Sequence, residues 1–353
     1  MSKGKGKPKG RWKRVALITI LVLGAMTALV GWQAYRLIYA ANISTDKPSA
    51  LFFINTGADF DDVVNGLEAD GLLMDRARFV FLSQLKKYDQ KVRPGRYRLR
   101  NGMSNNELVN ILRAGLQEPV KVTFNNIRLK EDFAARIGRL LETDSAAVMD
   151  RLNDPSYTAQ FGLRPETILT LMVPNTYEMW WNTDADGFFE RMDKEYRLFW
   201  GDARLKQAQS QGLSPTEAII LAAIVEKETN RESEKPTIAG VYLNRLRKGM
   251  ALQADPTLVY ANRDFDARRV LNWHKQIDSP YNTYKYTGLP PGPICVPSPT
   301  SVDAVLSAPR HGYIYFCARP DGTGYHDFSV TFDQHLAFAR AFQRNLNKRE
   351  IRK

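Results

Sequence analysis

The feature that most limits what this chain can become is a run of 21 uncharged residues, Val15 to Tyr35, between Arg14 and Arg36. As a helix rising about 1.5 Å per residue, the run just crosses a hydrocarbon core of roughly 30 Å. All seven charges ahead of it are basic, which holds that end in the cytosol and places everything after the run outside. Trp32, Tyr35 and Tyr39 suit the far interface. A cleaved signal peptide is the rival, with a small-residue site around Ile38, Tyr39 and Ala40, but that site lies too far beyond Val30. A buried helix of a soluble core does not fit an unpatterned apolar run beside so many basic residues. The expectation is a basic cytoplasmic tail (1–14), a retained single-pass anchor (15–37) in the inner, cytoplasmic membrane, contact with membrane lipid through that anchor, and a body on the outer, periplasmic side.

Composition matters next because the net charge of +12 invites a nucleic-acid reading. The N-terminal tail supplies seven of those charges and the tail 346–353 a net three, which leaves +2 for everything between. A nearly neutral body without a basic stripe argues against nucleic acid. Two cysteines, four histidines and no HExxH or CxxC give no metal framework, and no cofactor motif occurs. Cys295 and Cys317 could pair outside the cytosol or stay as separate buried thiols.

Beyond a polar link, Leu51 to Asn55 reads as a strand, Asp59 to Ala69 and Asp75 to Lys87 as helices, and Arg96 to Arg100 as a strand with one wet face. Ser104 and Glu107 make a capping box, and Gly115 closes the helix between them. That is a small αβ module (48–116) ahead of a larger region (119–345). In the latter, Val120 to Asn125 reads as a strand, with helices near Lys130–Leu141, Ser145–Leu152 and Gly187–Trp200. Pro174 to Tyr177 interrupts them. Aromatics this dense are ordinarily core, although Tyr177, Trp180 and Trp181 beside a turn could also stack on a sugar ring.

The sharpest constellation opens at Ser214-Pro215-Thr216-Glu217, a helix start followed by Ala218 to Val225, apolar on every face. Glu226, Lys227 and Glu228 come next. The small residues Ala222 and Ala223 cover the turn before Glu226, and burial there would raise its pKa, as a general acid requires. Pairing of Glu226 with Lys227 or Arg231 as the helix surfaces is the structural alternative, and the segment alone leaves both open. Glu234 to Arg247 reads as another helix, Asp255-Pro256 as an N-cap with its proline, and Tyr281 to Ile294 as stiff groove-forming loops.

At these residues the chain resembles the endolytic murein transglycosylases, or MltG/YceG-like proteins. The matching motifs are I-V-E-K-E-T (Ile224–Thr229), L-N-R-L (Leu243–Leu246), L-Q-A-D-P-T (Leu252–Thr257), Y-N-T-Y (Tyr281–Tyr284) and G-L-P-P-G-P-I (Gly288–Ile294), closed by His326–Thr331 with His335. One departure stands out: Leu169-Thr170 and Pro174-Asn175-Thr176-Tyr177 replace an acidic-Gly pair and P-D-T-Y. Asn175 keeps the hydrogen-bonding size of the aspartate.

The resemblance implies an α+β fold with an anchor helix, a LysM-like subdomain and a mixed catalytic domain. It implies cleavage of the β-1,4 bond between N-acetylmuramic acid and N-acetylglucosamine within peptidoglycan strands, leaving 1,6-anhydro ends and limiting nascent strand length. Carried over, Glu226 is the catalytic acid. Asn175, Tyr177, Glu228, Gln253, Asp255, Tyr281, Asn282 and Tyr284 are expected to bind substrate, with no metal or cofactor and with penicillin-binding proteins or other wall synthases as neighbours. Glu228 or Asp255 could act as a second carboxylate, so a muramidase-type hydrolase stays open, as does a silent wall-binding scaffold.

Overall fold

In the computed structural model, which describes residues 9–267 and 269–350, helix α1 spans Lys9–Tyr39. Its stretch Arg11–Tyr39 is long and apolar enough to cross a membrane; its residues lie exposed from Arg11 to Arg36, and Ile38 near its end packs against the core of the first unit. Thr19 and Thr27 donate their hydroxyls to the carbonyls of Val15 and Leu23 four residues back, at 2.9 and 2.8 Å. Both polar groups are thereby satisfied inside the helix, as a hydrocarbon environment demands.

The chain divides into two units, one running as far as Pro119 together with Trp180–Asn182, the other holding Val120–Met179 and the chain from Thr183 on. In the first, β1 (Ser49–Ile54) pairs antiparallel with β2 (Gly95–Arg100), Phe52 lying opposite Tyr97. Helices α2 (Phe60–Ala69), α3 (Arg76–Leu85) and α4 (Asn105–Ala114) supply Val63, Val64, Leu67, Phe79, Leu82, Leu108 and Leu112 to one core with Phe52, Ile54, Tyr97 and Leu99. The caps are local and form where the sequence places them. Asp59 and Ser104 each make a reciprocal capping box, and Gly115 ends α4 in the left-handed region at φ 69°. Two buried amides pin the chain as it leaves α1: Asn42 donates to Asn105 Oδ1 at 3.1 Å, and Asn105 donates to the Arg78 and Leu37 carbonyls.

The second unit begins with β3 (Val120–Phe124), whose partner is β4 (Asn175–Met179), antiparallel, with Val122 opposite Tyr177. The Pro174–Tyr177 stretch, expected as an interruption, is thus the start of a strand. Helices α5 (Lys130–Leu140), α6 (Ser145–Asn153), α7 (Pro155–Ala159), α8 (Ala185–Phe199) and α9 (Asp202–Gln211) complete this part of the unit, α5 packing on β3 and α9 on two helices later in the chain. At the centre of the core lies α10 (Pro215–Glu228), with Ala218 to Val225 all buried. Packed on it are α11 (Lys235–Arg247), α12 (Asp255–Ala261) and α13 (Pro299–Leu306). A last hairpin, β5 (Tyr315–Ala318) with β6 (His326–Ser329), leads into α14 (Phe332–Glu350), whose first turn is boxed by Thr331 and Gln334.

Candidate active site

Besides Glu217 in its first turn, helix α10 carries three charged residues on its last turn, just before Thr229 turns the backbone extended at φ −147°. Successive helical side chains diverge by about 100°, so Glu226, Lys227 and Glu228 meet three different neighbourhoods. The space beside Ala222 and Ala223 is occupied: the Cys295 thiol donates to the Ala223 carbonyl at 3.6 Å, and the chain runs on into α13. That brings Ser298, the N-cap of α13, within 2.6 Å of Glu226 Oε2, and Ser301 donates to the same oxygen. Lys235, almost fully buried, adds its ammonium at 3.2 Å while also binding Glu232.

These contacts reverse the direction of the pKa shift expected for Glu226. Burial by itself would raise the carboxyl, but the two hydroxyls and the Lys235 charge more than offset it and hold Glu226 below the usual carboxylate range. A carboxyl so placed is ionised at neutral pH and saturated on one oxygen.

Glu228 shows the opposite balance. Its carboxyl sits against α11, where the buried Tyr242 hydroxyl donates to Oε1 at 2.5 Å. Burial pushes Glu228 up and Tyr242 pulls it partly back; the Asp255 charge raises it further against Arg245, giving about 7. It lines a cleft of about 300 Å³ with Lys227 and Asp255, walled by Tyr260, Phe265 and Ile294 and rimmed by Arg128 and Arg269. Glu226 is not among the lining residues.

The expected binding loops split by role. Ala254, not the expected Asp255, caps α12; Asp255 is its first residue, and its carboxylate accepts the Tyr284 hydroxyl at 2.5 Å. Gln253 is exposed, with its backbone left-handed at φ 52° and fixed by its N–H to the Thr283 carbonyl at 3.0 Å. Asn282 is buried and holds the loop itself: it donates to the carbonyls of Lys275 and Ile277 and accepts from the Tyr284 N–H. It therefore braces Tyr284 rather than facing a ligand. Tyr281 packs on the cleft residue Tyr260 with ring centroids 4.8 Å apart. A side chain at Gly292 would lie 2.0 Å from the Glu166 carbonyl, so the G-L-P-P-G-P loop needs glycine there to seat Tyr281, whose hydroxyl is also within 2.9 Å.

Two expected residues lie elsewhere. Tyr177 is buried, stacked on Phe124 at 5.6 Å with its hydroxyl on the Val173 carbonyl, so no sugar can reach its face. Asn175 stands exposed at the start of β4 and accepts the Thr176 N–H; neither lines the cleft. His326 meets not a local partner but Glu234, 92 residues away at the start of α11, at 3.0 Å, and both cysteines are free thiols. Sequence reasoning missed Tyr242, Arg128, Tyr260 and Arg269. Tyr242 stood one residue ahead of the L-N-R-L motif, and its only signal was a polar tip inside an otherwise apolar helix face.

With this geometry in hand, comparison with known proteins places the chain. Residues 52–341 match the profile described as the YceG-like family. A protein named endolytic murein transglycosylase from Streptococcus pneumoniae R6 is 25% identical over 86% of this chain, which spans only 60% of that protein's length. One of the same name from Bacillus subtilis 168 is 28% identical, covering 68% of this chain and 70% of the relative. A crystal structure of a yceG-like protein from Listeria monocytogenes superposes with a TM-score of 0.53 at 27% identity, over 83% of this chain and 99% of the other. A profile match from the first strand to the last helix, carried through every motif around the cleft, means that the chain belongs to the YceG-like family.

Proposed function

We propose that the chain is a membrane-anchored endolytic lytic transglycosylase of peptidoglycan and that Glu228, rather than Glu226, is its general acid. The observation that carries this is the Glu228 carboxyl in the cleft, hydrogen-bonded by Tyr242, beside Asp255 and titrating near 7. Such a group is a large fraction protonated at neutral pH and can return to carboxylate without great cost. Glu228 protonates the oxygen leaving C1 of the muramyl residue as the C4 bond partner departs. The muramyl C6 hydroxyl then closes on C1 and gives its proton to the Glu228 carboxylate. No water is consumed, and the product ends in a 1,6-anhydro ring. The names of the curated relatives support the same chemistry.

Asp255 favours a second reading, hydrolysis, in which it would activate water against the same bond. Mass spectrometry of muropeptides released by the full chain decides: 1,6-anhydro ends, lighter by one water, support the transglycosylase, and reducing ends mean a hydrolase. Absence of release by the wild-type chain would leave a wall-binding scaffold. The apolar α1 serves as the anchor, with the body on the outer side where peptidoglycan lies; a reporter fused after Lys353 should be active only there. The residue 48–116 module acts as a LysM-like binding unit, and deleting it should weaken sacculus binding while cleavage persists at high substrate. Wall synthases of the penicillin-binding class are the proposed neighbours, and cleavage during synthesis would limit nascent strand length.

A further inference from the structure

Three cations converge on the cleft. Arg128 is half-buried with its guanidinium 4.8 Å over the Phe265 ring, Lys227 donates to the neutral Asn126 amide, and Arg269 stands exposed at the rim. Among the described residues none of the three ends in an ion pair, whereas Arg263 just outside pairs with Glu131 at 3.0 Å and Arg204 with Asp303 at 2.9 Å. Facing them in the cleft are two carboxyls: Asp255, already accepting from Tyr284, and Glu228, about half protonated at neutral pH; outside the lining, the charge of Glu226, itself bound by Lys235, also reaches Lys227. The cleft is thus net positive in a body whose charge is nearly balanced, and half-buried cations without anions are costly unless a ligand supplies one. Burial already pushes the Lys227 ammonium below its usual range.

We propose, resting on the glycan-cleaving reading of this cleft, that Arg128, Lys227 and Arg269 bind a carboxylate carried on the lactyl side of a muramyl residue. A planar guanidinium and a point ammonium can share one carboxylate, and the bare sugar ring offers no anion. Two sources present that chemistry: the acidic residues of a stem peptide, or the free lactyl carboxylate of a strand whose stems have been removed.

The test separates binding from turnover. Affinity is measured by fluorescence with the full chain in detergent, using Glu228→Gln to block cleavage. Three labelled strands are compared: one with stem peptides, one stripped by an amidase, and one stripped and then converted to the neutral methylamide. Expected is about tenfold weaker binding of the methylamide than of the better charged strand, a gap that closes in high salt and shrinks in Arg128→Gln and in the exposed Arg269→Gln. Whichever charged strand binds more tightly names the source. Equal affinity for all three overturns the proposal. Wild-type turnover on the same strands tests the enzymatic reading separately: tight, charge-dependent binding without cleavage would sink that reading and leave this one standing.

Discussion

Two sides of the last turn of α10 carry the same side chain and give it opposite properties. On the side facing α13, Glu226 meets two hydroxyls and an ammonium and stays ionised. On the side facing α11 and α12, Glu228 meets a phenol, a second carboxylate and an apolar wall, and it holds its proton to about 7. The difference teaches that burial alone does not make an acid. Both carboxyls lose water, and what replaces the water decides the sign. Glu226 accordingly reads as a clamp joining α10 to α11 and α13, and Glu228 as the group free to trade a proton.

The comparison breaks most visibly in turnover. Glu228→Gln should lower the rate of anhydro-end formation by 10²- to 10⁴-fold, on the order typical of losing a general acid. Glu226→Gln should keep most of the activity and show its cost in stability; equal losses in the two variants would erase the distinction. Next in size is the clamp. Lys235→Met removes a buried ammonium and leaves Glu226 to Ser298 and Ser301 alone, which should cost about 1–3 kcal/mol, read as the shift in urea midpoint. Because the Glu226 pKa is depressed, the stability it contributes is present above its unfolded value and is lost as pH falls through its lower folded value.

Glu228 has the reverse sign. Its folded value is raised, so its contribution is full below the unfolded value of 4.5 and is lost as pH rises through about 7. Glu228→Gln should therefore be more stable than wild type at pH 8, by on the order of 3 kcal/mol, and not at pH 4. An inactive variant that is also more stable at pH 8 would mark Glu228 as a group kept for function. The smallest expected effect sharpens the picture: Tyr242→Phe removes the hydrogen bond that favours the Glu228 carboxylate, so the alkaline limb of kcat/KM should move upward. A downward shift would show that Tyr242 holds the proton in another way.

Much of the frame is legible in the sequence because its signals are local. The uncharged run, the capping boxes at Ser104 and Ser214, and the all-apolar face of Ala218–Val225 each depend on neighbours within a few residues, and each forms as read. The β3–β4 pair was missed on its second strand because its partners lie more than 50 residues apart and Pro174 disguises the start. The surroundings of Glu226 were hidden for a similar reason. Nothing near Glu226 reveals that Ser298 and Ser301, 72 and 75 residues away, hydrogen-bond its carboxylate. Nor does the segment announce Tyr242, 14 residues on, as the partner of Glu228. Loop motifs were found as motifs, yet Asn282 proved to be a brace and Tyr177 a core residue, since a sequence shows which polar groups are present and not which way they face.

The central claim is that two carboxyls, two positions apart, carry different protons at neutral pH. Difference infrared spectroscopy of the full chain, with Glu228→Gln and Glu226→Gln as references, reads it directly. A protonated-carboxyl band absent from Glu228→Gln, present in Glu226→Gln and bleaching as pH rises through about 7 is the predicted result. A Glu228 band that is already gone at pH 5, or one that disappears with Glu226 instead, would contradict the account.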